Sequence, residues 1–245
     1  SLIAIIMDDL GPARGPTERA IGLPGPLTMA FLPYAEDLAT QAAQARRAGH
    51  QVFVHVPVQP VGDASPGPDA LTVEMSAGEL REHLRRAIGR VAGATGVNNH
   101  MGSRATADAR AMGVVMEELK RDGLVFVDSR TAGNSVAASV AAARGLPHTS
   151  RDVFLDHFPG SRFIERQLQT VEELARRTGS AVAIGHPYDT TLATLARWIP
   201  EAKARGFRFV TAGEVIAARG CGAGHRRGPG CGLVHEVAGG SGRTP

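Results

Sequence analysis

Cysteine is nearly absent from this chain of 245 residues. There are two, Cys221 and Cys231, both close to the C-terminus. The rest of the chain therefore has no cysteine nucleophile and no thiolate metal site, a usage that suits an oxidising compartment. Aromatic residues make up only 4% of the chain, so the core must be built from Ala, Val, Leu and Ile. No apolar run approaches the ~20 residues of a spanning helix, which argues against membrane insertion of this segment. The sequence shows no secretory signal pattern. Its first apolar run begins at residue 2, so an export signal or anchor is expected upstream of it.

Charge of one sign is also missing from most of the chain. The formal net charge is +3, and Arg219, Arg226, Arg227 and Arg243 against Glu236 account for all of it. Residues 1–218 are neutral overall, without the basic surplus that nucleic-acid binding requires. Composition turns to glycine after residue 218. A folded domain is therefore expected over 1–218 and a Gly-rich, disordered tail over 219–245. Within the tail, Cys221, His225, Cys231 and His235 have metal-ligating chemistry. Their C-x3-H-x5-C-x3-H spacing departs from the usual finger pattern of paired cysteines followed by paired histidines.

What is present is alternation. Strand-like runs occur at "LIAIIM", "LTMAFL", "QVFVHV", "GVNNH", "LVFVD", "DVFLD", "AVAIGH" and "FRFVT". Between most of them lie Ala/Arg/Glu-rich stretches with apolar residues at helical spacing, at about 36–48, 77–93, 107–122, 134–144, 160–178 and 189–205. This pattern predicts parallel strands covered by helices, in an irregular α/β barrel of about seven strands. A Pro/Gly-rich stretch, "QPVGDASPGPDA", is long enough to lie over a site.

The strand ends carry chemistry. They hold Asp8 and Asp9, His55, Asn98, Asn99 and His100, Asp128, Asp156 and His157, and His186. In a parallel barrel all strand C-termini lie at one face, where active sites form. One Asp oxygen and two His nitrogens converging there would make a divalent metal site with an open position. A second carboxylate beside it could accept a proton from water. That division of labour explains two adjacent acids, Asp8 and Asp9.

The segments "IIMDDLG", "LTMAFLPYA", "GHQVFVHVPVQP", "NNHMGSRAT", "LVFVDSRT", "RDVFLDH" and "AIGHPYDTT" resemble, in order, the divergent polysaccharide deacetylase family, a branch of the metal-dependent carbohydrate deacetylases. The resemblance covers nearly all of 1–218. It implies a (β/α) barrel that removes N-acetyl or O-acetyl groups from a polysaccharide, with one divalent ion, Zn first among the candidates. Carried over, Asp8 is the general base, Asp9 a metal ligand and His186 the general acid. Gly49, His50 and His55 match the second motif of the parent enzymes, with His55 a ligand and His50 structural. Gln59 stands where that motif has a further His, and His100 is the candidate to replace it. Arg104, Arg130, Asn99 and Asp156 are candidate substrate-binding residues. Arg104 and Arg130 have a second expected role, pairing with Asp8 or Asp128. A glycan substrate implies a bacterial protein working in the periplasm or outside the cell. Two other readings remain: a catalytically degenerate barrel that binds glycan or protein, and a hydrolase of another amide or ester.

Overall fold

In the computed structural model, which describes residues 1–220, the first apolar run forms β1 (Leu2–Leu10) in the middle of a nine-stranded sheet. The other strands are β2 (Thr28–Phe31), β3 (Gln51–Val58), β4 (Gly96–Met101), β5 (Val125–Asp128), β6 (His148–Ser150), β7 (Val153–Phe154), β8 (Ser180–Gly185) and β9 (Arg208–Phe209). They follow the order β6-β5-β4-β3-β2-β1-β8-β7, with β9 added beside the start of β1. The pairings are parallel, and the sheet curls into the expected barrel. β6 and β7 end the path and follow one another in the chain. Among the described residues no ladder joins them. The connection between them spans the seam instead: Arg151 N–H donates to Asp128 O at 2.9 Å, and Asp152 N–H to Val182 O at 2.9 Å.

Eight helices accompany the strands: α1 (Arg14–Ile21), α2 (Leu38–Arg47), α3 (Ala77–Arg90), α4 (Ala109–Arg121), α5 (Ala137–Ala143), α6 (Ser161–Thr178), α7 (Asp189–Ala204) and α8 (Ala212–Gly220). Two elements escape the sequence pattern. Helix α1 starts "RGP", which reads as a loop, but proline is tolerated in a first turn, where its missing N–H costs nothing. Strand β6 is three residues long and follows Pro147. The tail beyond Gly220, including the conceivable metal set at Cys221, His225, Cys231 and His235, lies outside the described residues.

Alternation along each strand sorts side chains between two cores. Ile3, Ile5 and Met7 of β1 belong to the outer core, shared with the helices. Ala4 and Ile6 face inward and join Ala30, Phe53, Val127, Val182 and Ile184 in the barrel interior. Val215 and Ile216 of α8 close the bottom of that interior. Gly96 keeps room for the Phe53 ring: a Cβ there would lie 2.4 Å from ring carbons. Arg219 ties α8 to the seam, donating to Thr149 Oγ1 at 2.6 Å, Asp152 Oδ2 at 2.6 Å and Ser180 Oγ at 3.0 Å.

Candidate metal centre

The inward columns end in polar residues at the barrel mouth. β1 runs Ala4, Ile6, Asp8; β3 runs Phe53, His55; β4 runs Gly96, Asn98, His100; β8 runs Val182, Ile184, then His186. Strict alternation would send Asp9 to the outer core. It does not, because Asp9 takes a left-handed conformation (φ 58) and the β1–β2 register shifts between Met7 and Leu10. The chain turns at that residue, and both acids reach the mouth.

Three atoms converge there. Asp9 Oδ1 lies 2.9 Å from His100 Nδ1 and 3.3 Å from His55 Nε2, and the two nitrogens are 3.2 Å apart. Asp9 Oδ1 is buried yet has no aligned hydrogen-bond donor. A buried oxygen left without a donor calls for an explanation, and an unseen ion is one. Bonds of about 2.0–2.2 Å place neighbouring ligand atoms about 2.8–3.4 Å apart for octahedral or tetrahedral corners, so the spacing fits a small divalent cation. Among the described residues, Asp9, His55 and His100 are the set able to hold a metal.

The surroundings fix the tautomer of His55. Asn98 Nδ2 donates to Asp8 Oδ1 at 2.7 Å, and a carboxylate only accepts. The Asn98 amide oxygen therefore faces His55 Nδ1 at 2.9 Å, which must carry the proton. The Nε2 lone pair is left pointing at the triad, the arrangement typical of a metal-ligating histidine. Ser129 Oγ also accepts from Asn98 Nδ2 at 3.3 Å. Asn98 is a site residue that sequence reading missed. Its signal was parity: it lies two residues before His100, on the same face of β4.

Electrostatics separate the two acids. Burial pushes the Asp8 carboxyl above its ordinary range, and the attraction of His55, His186 and Asn98 only partly offsets this. Burial acts on Asp9 in the same direction, but His100 and His55 outweigh it and hold that carboxyl well below the usual range. Burial disfavours a charged His55, yet Asp8 and Asp9 raise its pKa. His186 is pushed up to about 9: burial opposes this, while Asp156, Asp8 and Asp9 drive it. Its Nδ1 lies 2.9 Å from Asp156 Oδ1, and its backbone N–H donates to Asp156 Oδ2 at 2.7 Å. His186 Nε2 points back to the triad, 3.8 Å from Asp9 Oδ2.

Four other predicted site residues do not line the mouth as substrate contacts. Asn99 has the opposite parity to Asn98. Its amide donates to Met101 O at 2.7 Å and accepts from Ser129 N–H at 2.9 Å, so it braces the ends of β4 and β5. Asp156 sits behind His186, where it also accepts from Thr191 Oγ1 at 2.8 Å. Arg104 pairs with Glu74 at 2.8 Å, not with Asp8 or Asp128. Arg130 stays exposed in a left-handed turn (φ 50), and only its backbone N–H reaches Asp128, at 2.8 Å. Gln59, at the place of the missing motif histidine, braces a loop. Its side chain accepts from Val73 N–H at 3.0 Å and donates to Glu74 at 3.1 Å. His50 lies at the far end of the barrel, accepting from Leu27 N–H at 3.0 Å through Nδ1, with Nε2 2.8 Å from Ile21 O.

Comparison with known proteins agrees with this geometry. Residues 5–216 match the model of the divergent polysaccharide deacetylase family. The uncharacterized protein YibQ of Escherichia coli K12 is 35% identical over 197 residues, which are 80% of this chain and 62% of that protein. The chain thus spans less than two thirds of that relative's length. The crystal structure of an uncharacterized protein, ATU2773, from Agrobacterium tumefaciens is 31% identical with a TM-score of 0.85, covering 89% of each chain. Two distant structures share the fold. The catalytic domain of a peptidoglycan N-acetylglucosamine deacetylase from Eubacterium rectale has a TM-score of 0.51 at 17% identity, covering 86% of this chain and 87% of that one. A CE4 family pseudoenzyme from Bacillus anthracis has a TM-score of 0.52 at 10% identity, covering 88% and 65%. By the family match across nearly its whole described length, the chain belongs to the divergent polysaccharide deacetylases.

Proposed function

We propose that this barrel is a metal-dependent hydrolase that removes acetyl groups from a polysaccharide. The observation that carries the reading is the convergence of Asp9 Oδ1, His55 Nε2 and His100 Nδ1, with a buried oxygen left without a hydrogen-bond donor. Asp9, His55 and His100 would hold the ion, and their one oxygen and two nitrogens put zinc first among the candidates. Such an ion supplies Lewis acidity toward an acyl oxygen and toward water. Asp8, raised by burial and held by Asn98, is placed to take the proton of the attacking water. His186 is protonated at neutral pH and keeps its Nδ1 on Asp156, so Nε2 is the proton donor to the leaving nitrogen or oxygen. The products are acetate and a free amino or hydroxyl group on the sugar. A polymeric glycan substrate would put this work outside the cytoplasm.

The test is acetate release from a panel of acetylated glycans, with and without chelator, alongside metal analysis of the purified protein. Chelator-sensitive release supports the reading. Gln59 at the place of a motif histidine favours a second reading, a barrel that binds glycan without turnover. That reading requires a protein that binds glycan and releases no acetate in its metal-loaded form.

A further inference from the structure

We propose that a trail of aromatic rings leading from His186, together with the cavity at the open seam, forms an extended binding path for a linear sugar chain. This rests on the polysaccharide reading above and deepens it: the protein would recognise an oligomer, not a single sugar.

The first observation is where the apolar surface lies. Among the described residues the large hydrophobic side chains left exposed are Tyr34, Val61, Phe158 and Tyr188. They follow β2, β3, β7 and β8, so all four lie on loops at the mouth. Phe158 is 58% exposed and Tyr188 57%. In a chain with so few aromatics, such clustering marks a contact surface. Tyr34 is also held in place: the backbone of Gly67 in the Pro/Gly-rich loop packs so close that a Cβ would lie 2.7 Å from its ring.

The second is continuity. Tyr188 lies 5.6 Å from His186 between ring centroids, and His186 lies 5.5 Å from Phe154. Phe154 is 5.4 Å from His157, His157 is 4.5 Å from Phe158, and Phe158 is 5.3 Å from Phe163. Each ring touches the next, from beside the metal centre to the start of α6.

The third is what the trail reaches. A cavity of about 400 Å³ lies between β7 and α6, lined by Arg151, Phe154, His157, Phe163, Gln167 and Thr170. That size falls in the range of small-ligand sites. It exists because two residues, not a helix, connect β6 to β7, leaving this side of α6 uncovered. Arg151 stiffens its floor, with the guanidinium 4.8 Å over the Phe154 ring and bonds to Ser129 O at 2.7 Å and Arg130 O at 2.9 Å.

The chemistry selects the occupant. Sugar rings present C–H faces that suit the negative faces of aromatic rings, and hydroxyl edges that suit a polar rim. An extended peptide would add to a strand edge, but β7 is two residues long and offers too little ladder.

The experiment uses the full chain in chelator, so that binding is read without turnover. The probes are the dimer and pentamer of β-1,4-linked N-acetylglucosamine, titrated by calorimetry. The pentamer should bind roughly tenfold more tightly, the gain expected from one or two added ring contacts. Phe158→Ala and His157→Ala change exposed side chains and should each shrink that gain. Equal affinity for the two lengths, no binding of either, or an undiminished gain in both variants would overturn the proposal. Acetate release from a small acetylated probe by the metal-loaded protein tests the hydrolase reading separately, so each can fail without the other.

Discussion

The charge on His186 should be visible as a pH dependence of folding stability in the metal-free protein. Its folded pKa is about 9, against an ordinary value of 6.5. A group whose pKa is raised on folding contributes stability fully below its unfolded pKa and loses it as pH climbs through its folded pKa. The window therefore runs from about pH 6.5 to pH 9 and is about 2.5 pH units wide. At about 1.4 kcal/mol per unit, the contribution is on the order of 3 kcal/mol. For a domain of this size that corresponds to a fall in Tm of roughly 5–10 °C across the window. Burial opposes the shift, and the hydrogen bond to Asp156 is the largest contribution driving it. His55 is also raised and titrates in the same sense, so the wild type alone does not isolate His186. The comparison is wild type against His186→Gln, unfolded by urea in chelator at intervals from pH 6 to pH 9.5. The difference between the two should be largest near pH 6.5 and shrink toward pH 9. Parallel stability curves across that window would refute the assignment of the charge to His186.

Four further outcomes follow from the geometry. Asp8→Asn should keep the metal and lose about 10²–10⁴-fold in turnover, whereas Asp9→Asn should lose the metal itself, read by competition with a chromogenic chelator. Asn98→Ala should weaken metal affinity by about 10–100-fold, because His55 Nδ1 loses the acceptor that orients it; unchanged affinity would mean the ring is held by packing alone. Gly96→Ala should cost about 1–3 kcal/mol in urea unfolding, since its methyl group meets the buried Phe53 ring. Arg219→Ala should lower Tm by several degrees, because it removes the ties to Thr149, Asp152 and Ser180 across the seam; an unchanged Tm would show that α8 is held by its apolar face.

Much of the barrel was legible because period-two alternation and strand-end chemistry are written into the same segments. The columns ending in Asp8, His55, His100 and His186 could be read as strands with polar tips, and His50 as lying at the other end. The rest needed information that periodicity does not carry. Alternation alone would turn Asp9 away from the site, and only its left-handed backbone brings it back. Asn98 and Asn99 are neighbours of one residue type, and which of them faces the barrel depends on register with His55. Asp156 ends a strand-like run, yet it works through His186 because β7 stops at Phe154 and the chain then tucks the carboxylate behind the ring. Arg104 and Arg130 were placed by their nearness to motifs, which says nothing about the partners their long side chains find.

The left-handed backbone at position 9 constrains what evolution can do there. Asp and Asn visit that conformation readily, while most other non-glycine residues pay for it. The residue must also be an anion to hold a divalent ion. Asp satisfies both demands; Glu keeps the charge but suits the backbone poorly, and Gly suits the backbone but has no ligand atom. Asn is the remaining low-cost neighbour, with the same shape, the same backbone tolerance and no charge. Loss of the metal without loss of the barrel therefore runs most easily through Asp9→Asn. Lineages that turn this architecture from catalysis to binding should carry that exchange more often than any other at this position.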